Sequence, residues 1–175
     1  SKLIDVELND FIRDVPDFPI EGIMFKDITP LLQNSAAFSM SLDSLIVAVS
    51  DIEFDLIAAP ESRGFIFGVP MADRLQVPFA PIRKPGKLPY DTTSFEYELE
   101  YGTDTVEMHV DAAREGDRVL IVDDLLATGG TVDACCKLIQ NTGAVVAGCL
   151  FLIELEFLNG RSHLGDIPVQ SIMQY

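Results

Sequence analysis

Two aspartates, two glycines and two threonines crowd the run Asp123-Asp124-Leu125-Leu126-Ala127-Thr128-Gly129-Gly130-Thr131. Ionised carboxylates accept hydrogen bonds and cannot donate them, so an acidic pair suits the neighbouring hydroxyls of a sugar. The glycines let the backbone turn sharply and approach a ligand, so that several N–H groups converge at the start of a helix. That is an anion site, and phosphate fits it. Thr128 and Thr131 add two hydroxyl donors, and the helix dipole adds a modest bias. No lysine follows the glycines and the spacing is not G-x-x-x-x-G-K-[ST], which argues against a nucleoside-triphosphate loop. The set suits a sugar phosphate, its phosphate on residues 128–131 and its ribose hydroxyls on Asp123 and Asp124. A carboxylate about 5 Å from a developing oxocarbenium ion would interact by roughly 3 kcal/mol at an effective dielectric near 20. Felt mainly in the transition state, that is on the order of a hundredfold in rate.

A second group of residues is basic. Between positions 61 and 87 stand Arg63, Arg74, Arg83, Lys84 and Lys87 against Glu61 and Asp73, in a chain of formal net charge -16. A strongly anionic ligand needs such a local funnel. Arg74 fits the outer face of a helix; Arg63, Arg83, Lys84 and Lys87, with Ser62, are candidate anion ligands. The overall charge opposes broad attraction to nucleic acid or to anionic membranes. No apolar stretch reaches membrane-spanning length, and Ser1-Lys2-Leu3-Ile4-Asp5 lacks the blocks of a signal peptide. Cys135, Cys136 and Cys149 are odd in number and suggest no disulfide framework, which fits a reducing, cytoplasmic compartment. His109 and His163 lack partners at metal-ligand or triad spacing, so both read as structural, and Cys135 and Cys136 read as packing residues.

The elements that must position these groups follow from periodicity. Residues 119–122 are a buried strand of a parallel sheet that delivers the acidic pair to a carboxyl-end crevice. A helix is predicted from about 130 to 141 with Gly143 just beyond it, then an apolar strand over 145–152. Residues 55–59 form another buried strand, 65–75 a helix, and 79–82 a strand in which Pro81 indicates an edge or a strand end. Repeated βαβ units of this kind give a parallel, Rossmann-like α/β sheet flanked by helices. Upstream, an amphipathic stripe predicts a helix over 38–49 with Ser35 as its cap, and Thr29-Pro30 reads as a cap and first helical residue. The Pro- and Gly-rich residues 83–94 read as a mobile loop carried on a hairpin, residues 95–101 and 105–110, turning through Gly102. Val106, Met108 and Val110 share one face of it, while Glu96, Glu98 and Glu107 read as solvent-facing. Such a loop is a candidate lid. With 175 residues and 48% hydrophobic content, one domain with one core is the economical reading.

With these residues in view, the 119–131 run resembles the phosphoribosyl pyrophosphate signature of the type I phosphoribosyltransferases. Gly22-Ile23-Met24-Phe25-Lys26-Asp27-Ile28-Thr29-Pro30-Leu31-Leu32 is similar to the base-recognition segment of the adenine phosphoribosyltransferases, and 83–89 and 99–102 resemble their lid. The resemblance implies transfer of the 5-phosphoribosyl group from phosphoribosyl pyrophosphate to adenine, giving AMP and pyrophosphate in purine salvage. It implies a 5-phosphate site at Ala127, Thr128, Gly129, Gly130 and Thr131, with Asp123 and Asp124 on the ribose. Pyrophosphate falls to Glu61, Ser62, Arg63, Arg83, Lys84 and Lys87, and adenine to Met24, Phe25, Lys26 and Leu125. Glu100 takes the family's role in proton handling at the base. Magnesium accompanies the pyrophosphate rather than a protein cage, residues 1–34 form a base-binding hood, 83–104 the lid, and the working form is a homodimer. Where the family often has arginine this chain has Lys26, a point charge in place of a planar fork. Two rivals share the signature. One is a xanthine or hypoxanthine phosphoribosyltransferase, against which the Met24-Phe25-Lys26 segment speaks. The other is a non-catalytic regulator that senses phosphoribosyl pyrophosphate, which would need a nucleic-acid surface that this short acidic chain does not offer.

Overall fold

The computed structural model describes residues 7–175; the predicted absence of a signal sequence falls on residues 1–5, outside that range. Two compact units divide near position 44. In the first, β1 (Arg13–Pro16) and β2 (Met24–Asp27) form an antiparallel pair, followed by the single-turn α1 (Thr29–Leu32) and the start of α2 (Ser35–Ala48). Both predicted caps shift by one or two residues. Thr29 lies inside α1, and Asp27 does the capping: its Oδ1 accepts Thr29 N–H at 2.9 Å and Thr29 Oγ1 at 2.6 Å. Likewise Asn34 Oδ1 accepts Ala37 N–H at 3.0 Å, so Asn34 and not Ser35 closes the N-terminus of α2. In each case the side chain just outside the first turn accepts an N–H that the helix itself leaves unpaired.

The second unit is built on a five-stranded parallel sheet of β3 (Leu56–Pro60), β4 (Phe79–Ile82), β7 (Arg118–Leu126), β8 (Val145–Glu154) and β9 (Val169–Gln174), in spatial order β4-β3-β7-β8-β9. The edge predicted from Pro81 is where β4 lies. Between β4 and β7, β5 (Thr92–Glu98) and β6 (Thr103–His109) make an antiparallel hairpin. The connections are α3 (Arg63–Leu75), from β3 to β4, and α4 (Gly130–Gln140), from β7 to β8. From β3 the chain moves toward one edge and from β7 toward the other. Right-handed crossovers then put α3 and α4 on opposite faces and open a crevice at the carboxyl ends of β3 and β7.

Burial follows the pattern expected for a strand covered twice. Val119 and Ile121 pack with Val132, Cys135, Cys136 and Ile139 of α4, while Leu120 and Val122 are buried on the other face. Among the described residues no helix is long and apolar enough to cross a membrane, and the three cysteines are free and buried. The predicted hairpin is present with its strands displaced. β5 begins at Thr92 because Thr92 and Thr93 pair with His109 and Met108. Val106 and Met108 are buried as expected, but Val110 follows the strand and is half exposed. Glu107 is not solvent-facing: its backbone exchanges hydrogen bonds with Arg83, and its carboxylate accepts Gly86 N–H at 3.0 Å and Thr92 Oγ1 at 3.1 Å. His109 Nε2 accepts Tyr90 N–H, the structural role expected of it. The 83–91 loop is thus fastened to β6 at several points.

Candidate active site

Strand β7 does not stop at Val122. It pairs with β8 through Asp123↔Phe151 and Leu126↔Glu154, so the acidic pair lies within the strand rather than after it. Two polar residues are tolerated there because the strand is already emerging at the carboxyl edge. Successive strand residues face opposite ways. Asp123 continues the face of Val119 and Ile121, with its Oδ1 close to Gly64 in the first turn of α3, and the Oδ2 of Asp124 meets Arg63 Nε at 2.5 Å.

A cleft of about 480 Å³ opens at this edge. It is lined by Pro60, Glu61, Ser62 and Arg63 of the β3–α3 turn, by Lys84, and by residues 123–129, 131 and 132. Most of the predicted site therefore converges here: Glu61, Ser62, Arg63, Lys84, Asp123, Asp124, Leu125, Ala127, Thr128, Gly129 and Thr131. Gly130 opens α4 beside the lining. Gly129 adopts φ +91°, a conformation that favours glycine, and no side chain caps α4. The first-turn N–H groups of an 11-residue helix are left for something in the cleft.

In the second unit three predicted residues, Arg83, Lys87 and Glu100, lie outside that lining. Arg83 does not line the cleft; its Nε donates to Glu61 Oε1 at 3.2 Å. Glu61 also accepts Lys84 N–H at 2.7 Å, so this carboxylate holds the backbone that presents Lys84 rather than facing an anion itself. Lys87 is exposed on the loop, and Glu100 is exposed at the hairpin tip, both outside the lining. In the first unit Met24, Phe25 and Lys26 share β2. Met24 is half exposed, Phe25 meets Phe18 edge-on at 5.1 Å, and Lys26 Nζ donates to Asp14 Oδ1 at 2.6 Å across the strand pair.

Each cation in the cleft has an internal carboxylate. Arg63 is held by Asp124. Lys84 bonds Asp104 at the root of β6, which also accepts Tyr97 Oη at 3.3 Å. Burial works against the charge on Lys84, but these contacts hold its ammonium above the usual range. Neither Asp104 nor Tyr97 carried a signal in the sequence, because both are ordinary hairpin residues until the register sets them opposite each other. Asp123 is different. Burial, and then the adjacent Asp124 charge, raise its carboxyl well above the ordinary value, against the opposing effect of the Asp124 N–H it accepts at 2.8 Å.

A carboxyl whose pKa is raised on folding binds its proton more tightly in the folded protein. Its favourable contribution is present below the unfolded value and is lost as pH rises through the raised one. Asp123→Asn is therefore expected to raise the melting temperature at pH 7, by about 2–4 °C for each kcal/mol relieved, with the gain disappearing near pH 4. Thermal unfolding at the two pH values checks it. A lower melting temperature than wild type at pH 7 would contradict the burial argument.

Comparison with known proteins identifies the family. The family model described as the phosphoribosyl transferase domain matches residues 27–163. A relative from Pseudothermotoga lettingae, named adenine phosphoribosyltransferase, is 54% identical over 170 residues, 97% of this chain and 100% of its own length. The crystal structure of adenine phosphoribosyltransferase from Thermoanaerobacter pseudethanolicus superposes with a TM-score of 0.94 at 55% identity, covering 96% of this chain and 98% of that one. That of the Saccharomyces cerevisiae enzyme, complexed with an imino-altritol bisphosphate and adenine, gives 0.87 at 40%, covering 94% and 95%. The family model covers most of the sequence, the strand β7, the acidic pair and the start of α4 included, and the chain belongs to the phosphoribosyltransferase family.

Proposed function

We propose that this protein transfers the 5-phosphoribosyl group from phosphoribosyl pyrophosphate to adenine, giving AMP and pyrophosphate in purine salvage. The observation that carries the reading is the single cleft in which an uncapped helix N-terminus, two carboxylates and a basic turn face one another. The 5-phosphate sits on the N–H groups of residues 129–131 with the hydroxyls of Thr128 and Thr131. Asp123 and Asp124 accept the ribose hydroxyls and stabilise positive charge at the anomeric carbon. Ser62, Arg63 and Lys84 receive the pyrophosphate, which displaces the internal carboxylates that hold the two cations. The bond from the anomeric carbon to the pyrophosphate oxygen breaks as adenine N9 bonds to that carbon, and the N9 proton leaves to a base. Glu100 takes this proton once the hairpin tip, 99–102, moves over the cleft, and closure also excludes water.

Relatives named for adenine, and the yeast structure holding adenine, support the choice of base. On this chain the base is assigned to Met24, Phe25 and Lys26 of β2 and to Leu125 of β7. Magnesium fits the site as a passenger of the substrate. Hard carboxylate oxygens are present at Asp123 and Asp124, but no group of three or more His, Cys, Asp or Glu among the described residues is arranged to hold a metal. When bound, it neutralises charge on the pyrophosphate. A reducing cytoplasm suits the three free cysteines, and family membership supports a homodimer.

The test is nucleotide formation from phosphoribosyl pyrophosphate and magnesium with adenine, hypoxanthine, guanine and xanthine offered separately. AMP from adenine, at far higher kcat/KM than any oxopurine nucleotide, is the expected result. Preference for an oxopurine would overturn the choice of base, and no product from any base would overturn transferase activity.

A further inference from the structure

The phosphate loop is braced from behind by a segment that contains none of the predicted site residues. Gly160 opens a short 3-10 turn, Gly160–His163, after β8. A Cβ on Gly160 would lie 2.5 Å from Ala127 O and 2.9 Å from Leu126 Cδ1, and a Cβ on Gly129 would lie 2.5 Å from Gly160 O. Two backbones therefore touch with glycine on each side. Any movement of Gly160 is transmitted directly to the residues that start α4.

One side chain holds Gly160 there. Arg161 grips Glu154 with two parallel bonds, Nε to Oε2 at 2.7 Å and Nη2 to Oε1 at 2.8 Å, and its Nη1 donates to Val169 O at 3.1 Å. Ser171 Oγ adds a bond to Glu154 Oε1 at 2.6 Å. Glu154 is buried at the end of β8, in register with Leu126, and Leu155 N–H donates to Leu126 O at 2.9 Å. The carboxylate is thus fixed in the sheet beside the residue from which the phosphate loop departs. A planar guanidinium that satisfies both carboxylate oxygens and a neighbouring carbonyl fixes orientation as well as distance.

We propose that Arg161, clamped to Glu154, is a positioning residue for the 5-phosphate: it presses Gly160 against Ala127 and Gly129 and so sets the N–H groups that receive the phosphate. The inference rests on the phosphoribosyl reading above. A purely structural clamp would lower stability without selecting between substrates. A positioning clamp weakens the sugar phosphate and leaves adenine alone.

The experiment compares the full-length wild type with Arg161→Ala and Arg161→Lys, measuring KM for each substrate and the affinity for ribose 5-phosphate by calorimetry. Arg161→Lys keeps a cation beside the buried Glu154, and so should fold, but cannot make the paired grip. Arg161→Ala is expected to raise KM for phosphoribosyl pyrophosphate and Kd for ribose 5-phosphate on the order of tenfold, with Arg161→Lys between it and wild type and KM for adenine within about twofold. If either folded variant binds ribose 5-phosphate as wild type does, or loses both substrates equally, the clamp is structural only. Should wild type make no nucleotide, the transfer reading falls by itself, and the ribose 5-phosphate affinities still decide the clamp.

Discussion

Asp124→Asn is expected to lower kcat about a hundredfold while leaving KM for phosphoribosyl pyrophosphate unchanged or lower. Asp124 is buried, and its carboxylate meets the Arg63 guanidinium at 2.5 Å. Asparagine keeps the volume and one oxygen and removes the charge. A carboxylate about 5 Å from the anomeric carbon interacts with a full positive charge by roughly 3 kcal/mol at an effective dielectric near 20. Because that charge develops only in the transition state, the loss falls on kcat. The ground state responds in the other direction. Arg63 loses the Asp124 carboxylate as a competitor and becomes the better partner for pyrophosphate. Steady-state kinetics with both substrates varied separates the two effects. Wild-type kcat would remove the electrostatic role of Asp124, and a raised KM with unchanged kcat would reassign it to ground-state binding.

Gly129→Ala is expected to raise KM for phosphoribosyl pyrophosphate by about a hundredfold and to lower the melting temperature by about 5 °C. Two separate costs combine at this position. A side chain at φ +91° is strained, and its Cβ would stand 2.5 Å from the carbonyl oxygen of Gly160, backbone that cannot swing away. The loop must move, and the converging N–H groups move with it. Gly130 supplies the control. Its φ is not in the left-handed range and nothing lies within 4 Å of a Cβ built there, so Gly130→Ala should leave the melting temperature unchanged. Thermal unfolding and substrate kinetics on the two neighbours check the contrast. Equal loss of stability in both variants would show that the close contact with Gly160 is not what fixes the loop.

The difference between these adjacent glycines was invisible in the sequence, where Gly129-Gly130 reads as one turn. What was legible came from local patterns with a direct physical cause. The apolar run at 119–122 predicted a doubly covered strand, Pro81 predicted an edge, and the helix after the glycines ended within a residue of its expected limit. The content of the cleft followed from charge type and order along the chain. The failures share a different origin. Whether Lys84 or Arg83 lines the cleft depends on the backbone bridge to Glu107, more than twenty residues away. Asp104 becomes the partner of Lys84 only through the hairpin register, and Gly160 becomes part of the phosphate loop only because Arg161 and Glu154 draw the end of β8 back onto it. Contacts of this length leave no periodic trace. Asn159-Gly160 announces a turn and nothing about what the turn presses against.

The most direct test is a crystal structure of the protein with AMP. The 5-phosphate is expected at the start of α4, within about 3 Å of the N–H groups of residues 129–131, with the ribose hydroxyls on Asp123 and Asp124. A phosphate bound anywhere else, with that helix start left empty, would contradict the assignment of this cleft.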